Sequence, residues 1–375
     1  MTSVSDEKTL DWLQLINTDG VGPITFYKLT EKFGSAAEAL RNLGNKYQKF
    51  PRQKAVEEFE NARKKGIYII CRDDEYYPPN LKNIDDCPPL LYVLGNPEIL
   101  KFPLSVSIVG ARNASVAGRK TASKIAYDLT NSDIVVVSGM ARGIDAAAHK
   151  GAMYAKNQLG PTIAVLGTGV DTVYPAENRE LYEQIARQGV LISELPLETK
   201  AQVSNFPRRN RIVSAISCAT LVVEATMHSG SLITAKTALE QGREIFAVPG
   251  SPLDDRSSGP NHLIKEGAYL TESAEDIINI LSGSKHQNVK TYKNELLFDI
   301  VLDNKENNDD IPKNTKPMNQ DRLLDFITPE GVYVDELIRL SGLDGAEVSL
   351  NLLEMEMSGK IVRQVGNKVA LAKKR

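Results

Sequence analysis

Between Leu104 and Leu281 short apolar runs recur along the chain, separated by segments whose apolar positions repeat every three to four residues. The runs are SVSIVG, DIVVVSG, TIAVLG, GVLIS, ATLVVEA and EIFAVPG. An apolar run without polar alternation predicts a strand buried on both faces, and a helical segment after each predicts a right-handed crossover. Together they specify an α/β domain with a doubly wound, mostly parallel sheet. Upstream, residues 68–95 read as a strand, a proline-rich surface passage and a second strand, a lead-in to that sheet. Before it, Glu7 to Ile16 is apolar at helical spacing, and Gly20-Val21-Gly22-Pro23 turns the chain into a helix over Ile24 to Phe33. That turn has the form of a helix-hairpin-helix within a small, SAM-like helical domain. The charge around it is mixed (Glu31, Lys32, Glu38, Arg41), which favours packing on a neighbouring domain over contact with DNA.

Past the sheet, residues 284–318 are rich in Asn, Asp and Lys with little periodicity and read as a linker. Three amphipathic helices follow, over 321–327, 332–340 and 346–358. A hairpin closes the chain, 360–365 and 368–371 joined by Gly366-Asn367: a winged-helix-like pattern. The expected division is therefore 1–66 helical, 67–283 doubly wound α/β, 284–318 linker and 319–375 winged-helix-like. In the last domain the stretch Asp344 to Ser358, the third helix and its lead-in, carries Asp344, Glu347, Glu354 and Glu356 and no base, a face that repels phosphates.

Composition narrows the class. The chain has 375 residues, 42% hydrophobic and 25% charged, which is ordinary for a globular protein of two to three domains. It contains no apolar run long enough to cross a bilayer, and its start, MTSVSDEKTLDW, lacks the features of a secretion signal, so a cytoplasmic protein without membrane contact is expected. Cys71, Cys87 and Cys218 are odd in number and far apart, which offers neither a disulfide framework nor a metal site. The formal net charge of −3 gives no general attraction to nucleic acid, so such binding must rest on where the charges sit.

The charges are unevenly placed. Leu104 to Tyr127 carries Arg112, Arg119, Lys120 and Lys124 without an acid, and Thr199 to Val223 carries Lys200, Arg208, Arg209 and Arg211 without an acid. Both stretches lie at the carboxyl ends of expected strands, where ligands of open parallel sheets bind. In the second, Asn205-Phe206-Pro207-Arg208-Arg209-Asn210-Arg211, Pro207 is placed to open a helix. Free backbone N–H groups, three guanidiniums and one aromatic ring could there hold phosphates and stack a base. The competing reading is that these arginines pair with carboxylates of the fold. Other chemistry finds less support. GARNAS is not a dinucleotide fingerprint, and Gly118-Arg119-Lys120-Thr121 does not meet the Walker A spacing. Asp145 and His149, four apart, read as a helix-capping carboxylate and a packed imidazole before an acid-base pair, and Glu224 has no catalytic partner in sequence.

Five segments carry a family resemblance: Ser107 to Arg112, Ser138 to Asp145, Phe206 to Ile212, Ser229 to Ala235 and Gly242 to Gly250. In that order over some 150 residues they resemble the DNA-processing protein A (DprA, Smf) family. The resemblance implies an extended Rossmann-like domain that binds single-stranded DNA, forms homodimers, protects incoming DNA and loads the RecA recombinase onto it during natural transformation. Single-strand-binding protein is a further implied partner, and no cofactor or metal is implied. Charge pattern and resemblance together give the candidate DNA-binding residues Gly110, Arg112, Ser115, Arg119, Lys120, Gly139, Arg142, Lys200, Phe206, Arg208, Arg209, Asn210 and Arg211. Gly230, Ser231, Thr234 and the loop Pro249 to Gly259 match the family too, with tight turns and a helix cap as the alternative role. Met140 stands where related sequences often have glycine, a departure expected to narrow the pocket. The rival reading is an enzyme that cleaves phosphoribosyl bonds; such enzymes share Pro-Gly-Gly-x-Gly-Thr-x-x-Glu, and His228 to Ala235 lacks its paired glycines and glutamate.

Overall fold

The computed structural model describes residues 4–44, 46–156 and 161–283, and, further on, 323–324, 326–328, 331–341, 348, 351–352, 355–356, 360–364 and 368–371. The expected linker at 284–318 lies outside the described residues. The chain divides into two compact units, Met1–Val301 and Leu302–Arg375.

In the first unit, β1 (Tyr68–Cys71) and β2 (Leu90–Gly95) are the lead-in strands, and the six apolar runs are β3 (Ser105–Val109), β4 (Val135–Ser138), β5 (Thr162–Val165), β6 (Val190–Ser193), β7 (Ala219–Val222) and β8 (Glu244–Ala247). With β9 (Tyr269–Leu270) they form a nine-stranded sheet in the order β1-β2-β6-β5-β4-β3-β7-β8-β9. Only the β1–β2 and β2–β6 pairs are antiparallel. The chain winds from β3 out to β6 and returns to pair β7 with the other side of β3, the reversal expected of a doubly wound sheet.

Each strand sends alternate residues to opposite faces, and both are covered. Val135, Val137, Ile163 and Val165 meet Ile212, Val213 and Ile216 of α8 (Asn205–Ile216), with Leu232 and Ala235 of α9 (Gly230–Glu240) and Leu263 of α10 (Ser258–Lys265) in the same cluster. On the other face, Val106, Ile108 and Val136 pack on Ala122, Ile125 and Leu129 of α5 (Val116–Asn131) and on Ala148 of α6 (Ile144–Met153), beside Ile277 of α11 (Ala274–Gly283).

The N-terminal helices α1 (Val4–Ile16), α2 (Pro23–Phe33), α3 (Ala36–Arg41) and α4 (Arg52–Lys64) have a small core of their own around Leu15, Val21, Phe26 and Leu40. They also share one with the sheet. Leu13, Ala55 and Ala62 pack with Tyr92, Leu191 and Ile185, the last from α7 (Arg179–Gln188), and Leu197 N–H donates to Glu58 at 2.8 Å.

In the second unit, β10 (Val332–Tyr333), β11 (Ile361–Gln364) and β12 (Lys368–Leu371) form an antiparallel sheet in the order β10-β12-β11, with α12 at Val334–Ser341. The helix expected from Val332 therefore starts two residues later. Val332 and Tyr333 are extended and pair with Val369 and Lys368, because ladder hydrogen bonds to the wing strand outweigh the helical periodicity of so short a segment. Of the acidic third helix, Val348, Asn351, Leu352, Met355 and Glu356 are described and helical.

Candidate nucleic-acid interface

The loops after β4 and β5 and the start of α8 enclose a cleft of about 90 Å³ above the strand ends. Gly139 to Arg142 form one wall, Leu166 to Thr168 and Tyr174-Pro175 the other, and Arg112, Phe206 and Arg209 converge on it. The Phe206 ring lies under the Arg112 guanidinium (5.5 Å to the ring centroid) and beside Tyr174 (centroids 5.5 Å apart, tilted by 38°). Arg112, Arg142 and Tyr174 are exposed, so the cleft offers solvent two cations and an aromatic pair. No carboxylate lines it among the described residues.

The floor is fixed by a buried pair of charges. Arg209 is 5% exposed, and its Nη1 donates to the Gly139 carbonyl and, at 2.7 Å, to the Val165 carbonyl, so one side chain caps the ends of two adjacent strands. Asn210 holds it from the side, its Oδ1 accepting from Arg209 Nε at 3.1 Å. Asp145, buried at the start of α6, accepts from the Gly139 and Ala141 N–H groups at 3.1 and 3.3 Å. Burial pushes the Asp145 carboxyl up from its ordinary range, and Arg209 and the two N–H groups oppose this. Burial likewise depresses Arg209, opposed by Asp145. A Cβ on Gly139 would overlap the Arg209 guanidinium, which is why this loop needs glycine. Met140 follows with φ +59°, its side chain turned into the core and its carbonyl bonded to Asn178 Nδ2 at 2.9 Å. Glycine suits such a backbone; methionine borders the cleft here, but its side chain packs in the core with Leu166 and Val170 instead of projecting into the opening.

Of the sequence candidates, the structure brings Arg112, Gly139, Arg142, Phe206 and Arg209 together in this cleft. Arg119 and Lys120 line an adjoining groove between α5 and α6, to which Arg142 also belongs. Arg208 is exposed near the edge of a separate groove that faces the N-terminal turn, and Lys200 is exposed in the loop before α8. Three candidates have packing partners instead. Gly110 lies against Ile144 and the Glu224 carbonyl, and Ser115 caps α5 while its N–H and hydroxyl both donate to the Glu224 carboxylate. Arg211 is 12% exposed at its side chain and ion-paired with Glu194, itself 8% exposed, with Asp86 3.2 Å away. For Arg211 the reading in which arginines pair with carboxylates is the one the structure shows.

Pro207 does not open α8. The helix begins at Asn205, where the Asn205 and Phe206 N–H groups already donate to the Gln202 and Val203 carbonyls, and Pro207 has none to offer. The expected N–H cradle is therefore absent from this helix start, and the cations of the cleft are side chains. Tyr174 and the loop 166–168 were missed, although the rule that singled out the loops after β3 and β4 applies equally to the loop after β5. His149 is fully buried with Nδ1 2.8 Å from Thr162 Oγ1, a packed imidazole as expected.

Comparison with known families places this geometry. The model for DNA recombination-mediator protein A matches residues 68–282, the DprA-like N-terminal helix-hairpin-helix model residues 6–60 and the DprA winged-helix model residues 312–367. The chain belongs to the DprA/Smf family. Among DprA/Smf relatives, it is 35% identical to protein Smf of Escherichia coli over 335 residues, 87% of this chain and 83% of that protein. It is 45% identical to DNA processing protein DprA of Streptococcus pneumoniae over 205 residues, 55% of this chain and 71% of that protein. The S. pneumoniae DprA structure matches with a TM-score of 0.62 at 33% identity, covering 74% of this chain and 98% of that one. The DNA processing protein A of Helicobacter pylori, solved for its single-stranded DNA binding mode, matches with a TM-score of 0.53 at 27% identity, covering 58% and 96%. The fold expected from the DprA resemblance is thus the fold observed. No helix among the described residues is long and apolar enough to cross a membrane.

Proposed function

We propose that this DprA/Smf protein is a cytoplasmic, non-hydrolytic recombination mediator. It binds single-stranded DNA in the cleft, protects it and loads RecA onto it during natural transformation. The observation that carries the reading is the convergence of Arg112, Phe206 and Tyr174 over a floor fixed by Arg209. Cations beside aromatic faces suit a strand with unpaired bases, because stacking accepts any base while duplex bases are unavailable to it. The family's role as a DNA recombination mediator and the H. pylori relative's single-strand binding support it. The absence of an acid from the described cleft lining favours it over phosphoribosyl-bond cleavage, which needs one.

A mediator that holds DNA and recombinase together gains from two linked sites. Homodimerisation through the sheet unit fits this reading: among the described residues β9 is an edge strand with Tyr269 and Leu270 exposed, the kind of strand that can pair with another copy. Single-strand-binding protein enters as the occupant of DNA that RecA must replace.

The test is binding of labelled oligonucleotides across salt. About four to six phosphate contacts give a log-log slope of about −3 to −4 on single strands. Equal affinity for duplex, or a slope near zero, would refute the binding half. For the loading half, RecA, ATP and DNA coated with single-strand-binding protein are mixed with the protein; equal stimulation by wild type and Arg112→Glu would refute it.

A further inference from the structure

Beside the cleft, α5 and α6 are separated by an open groove of about 800 Å³. The two helices approach closely where Gly151 faces the Ser123 carbonyl; a Cβ on Gly151 would overlap it. That contact forms the bottom of the groove and sets side chains of both helices along its rims. α5 contributes Arg119, Lys120 and Lys124, an acid-free run, and the structure places Arg142 and Lys150 on the facing side. Among the described residues, five bases and one acid, Glu177, therefore line it in a chain of net charge −3. Lys124 also pairs with Asp128 at 2.7 Å, but both belong to an exposed i,i+4 pair of little strength. Two tyrosines stand among the cations: Tyr154, 77% exposed, and Tyr127, 39% exposed.

The groove is continuous with the cleft through Arg142, which lines both. There Arg142 Nη2 donates to Glu177 Oε2 at 2.9 Å, an exposed ion pair that a phosphate can replace at low cost. Resting on the single-strand reading of the cleft, we infer that the α5–α6 groove carries the next stretch of the same DNA strand, with Tyr154 and Tyr127 as stacking faces and Lys120 and Lys150 on the phosphates. Ten residues of α6 extend about 15 Å, room for about four stacked nucleotides at 3.4 Å each. Charge and exposed aromatic faces in one channel are what sequence-tolerant binding of single strands uses. A rim without cations would have suited a protein partner better.

The experiment measures fluorescence anisotropy with oligothymidylates of about four and about twelve nucleotides, using the full chain, wild type and the Lys150→Glu/Tyr154→Ala double variant. Both positions are exposed and outside the cleft lining, and circular dichroism checks the fold. The expected result is a loss of at least fivefold for the 12-mer, a shallower salt slope by about 0.7 for the lost lysine contact, and 4-mer binding within twofold of wild type. A second measurement uses 12-mers carrying 5-iodouracil at single positions, which should cross-link to Tyr154 or Tyr127 several nucleotides from the position that cross-links to Phe206. Unchanged 12-mer affinity with no cross-link to either tyrosine overturns the inference, as does a double variant that binds both lengths normally yet no longer stimulates RecA, because the groove then serves a protein. If Arg112→Glu leaves both lengths bound as in wild type, the cleft reading itself fails, a result distinct from failure of the groove.

Discussion

Arg112 and Arg211 carry the same charge and fall within the same candidate site by sequence, yet the structure expects opposite phenotypes from them. Arg211 is ion-paired with Glu194, and the two side chains are 12% and 8% exposed. Removing one partner of such a pair leaves the other charge in a poor dielectric, a loss of about 3–5 kcal/mol. The residual exposure and Arg208, whose guanidinium remains 4.0 Å from Glu194, favour the lower end, so Arg211→Ala is expected to cost about 3 kcal/mol at pH 7. For a unit of this size that lowers Tm by about 5 °C. The loss should shrink on acidification. Burial already raises the Glu194 carboxyl above its ordinary value, and without Arg211 it rises further, so the folded variant takes up a proton that relieves the penalty as pH falls toward 5. Once folded, the variant should bind single-stranded DNA within about threefold of wild type. Arg112 is exposed over Phe206 and has no ion pair among those observed, so Arg112→Ala should change stability by less than about 0.5 kcal/mol. Loss of its charged contact, worth about 1.5–3 kcal/mol, should weaken DNA binding at least tenfold. Urea melts at pH 7 and 5 with anisotropy at 15 °C decide the matter. If Arg211→Ala is as stable as wild type and loses DNA as severely as Arg112→Ala, the division between a structural and a binding arginine is wrong.

Other outcomes follow from neighbouring features. Burial lowers the His149 imidazole to about 3, so from pH 6.5 down to that value the unfolded chain binds a proton the fold excludes, and stability falls with acid; in His149→Gln the slope of unfolding free energy against pH between 6 and 4.5 should decrease by about 1.4 kcal/mol per unit. Gly139→Ala should abolish DNA binding, because its methyl group displaces the Arg209 guanidinium, and a crystal structure or a normal anisotropy titration checks this. Phe206→Ala should lose about 1–3 kcal/mol of single-strand affinity with its salt slope unchanged, since stacking releases no counterions. Truncation after Gln320 should leave single-strand affinity intact, and loss of binding would show the C-terminal domain, despite its acidic third helix, to be a DNA reader.

The strands of the sheet were legible because burial on both faces leaves no polar position in them, and apolar runs such as Val135 to Val137 admit few other readings. The cleft was legible as far as strand ends and family motifs reach: Arg112, Gly139 and Phe206 meet where the loops after β3 and β4 face the start of α8. The distinct fates of Arg208, Arg209 and Arg211 were not. Successive residues point about 100° apart on a helix, so which arginine enters the core, which is buried on Glu194 and which stays exposed at 4.0 Å from that same carboxylate depends on how α8 lies on the sheet. Lys150 and Tyr154 escaped notice for a related reason, since their meeting with α5 depends on the close approach at Gly151. Glu194 and Glu224 lie outside the acid-free stretches and so entered no charge count there, yet they decide what Arg211 and Ser115 are free to do.

Glu224 has a wider consequence. At the reversal point of a doubly wound sheet, the first helix start is the usual seat of a nucleotide phosphate. Here a carboxylate from the end of β7 already sits there, accepting from Ser115 N–H at 2.9 Å and from its hydroxyl. A phosphate entering that position would have to evict an anion covalently tied to the fold, so the site begins occupied at an effective concentration no free nucleotide matches. In this chain the corresponding seat is filled by a side chain of the fold itself, and the Ser115 N–H and hydroxyl that a phosphate would need are already engaged.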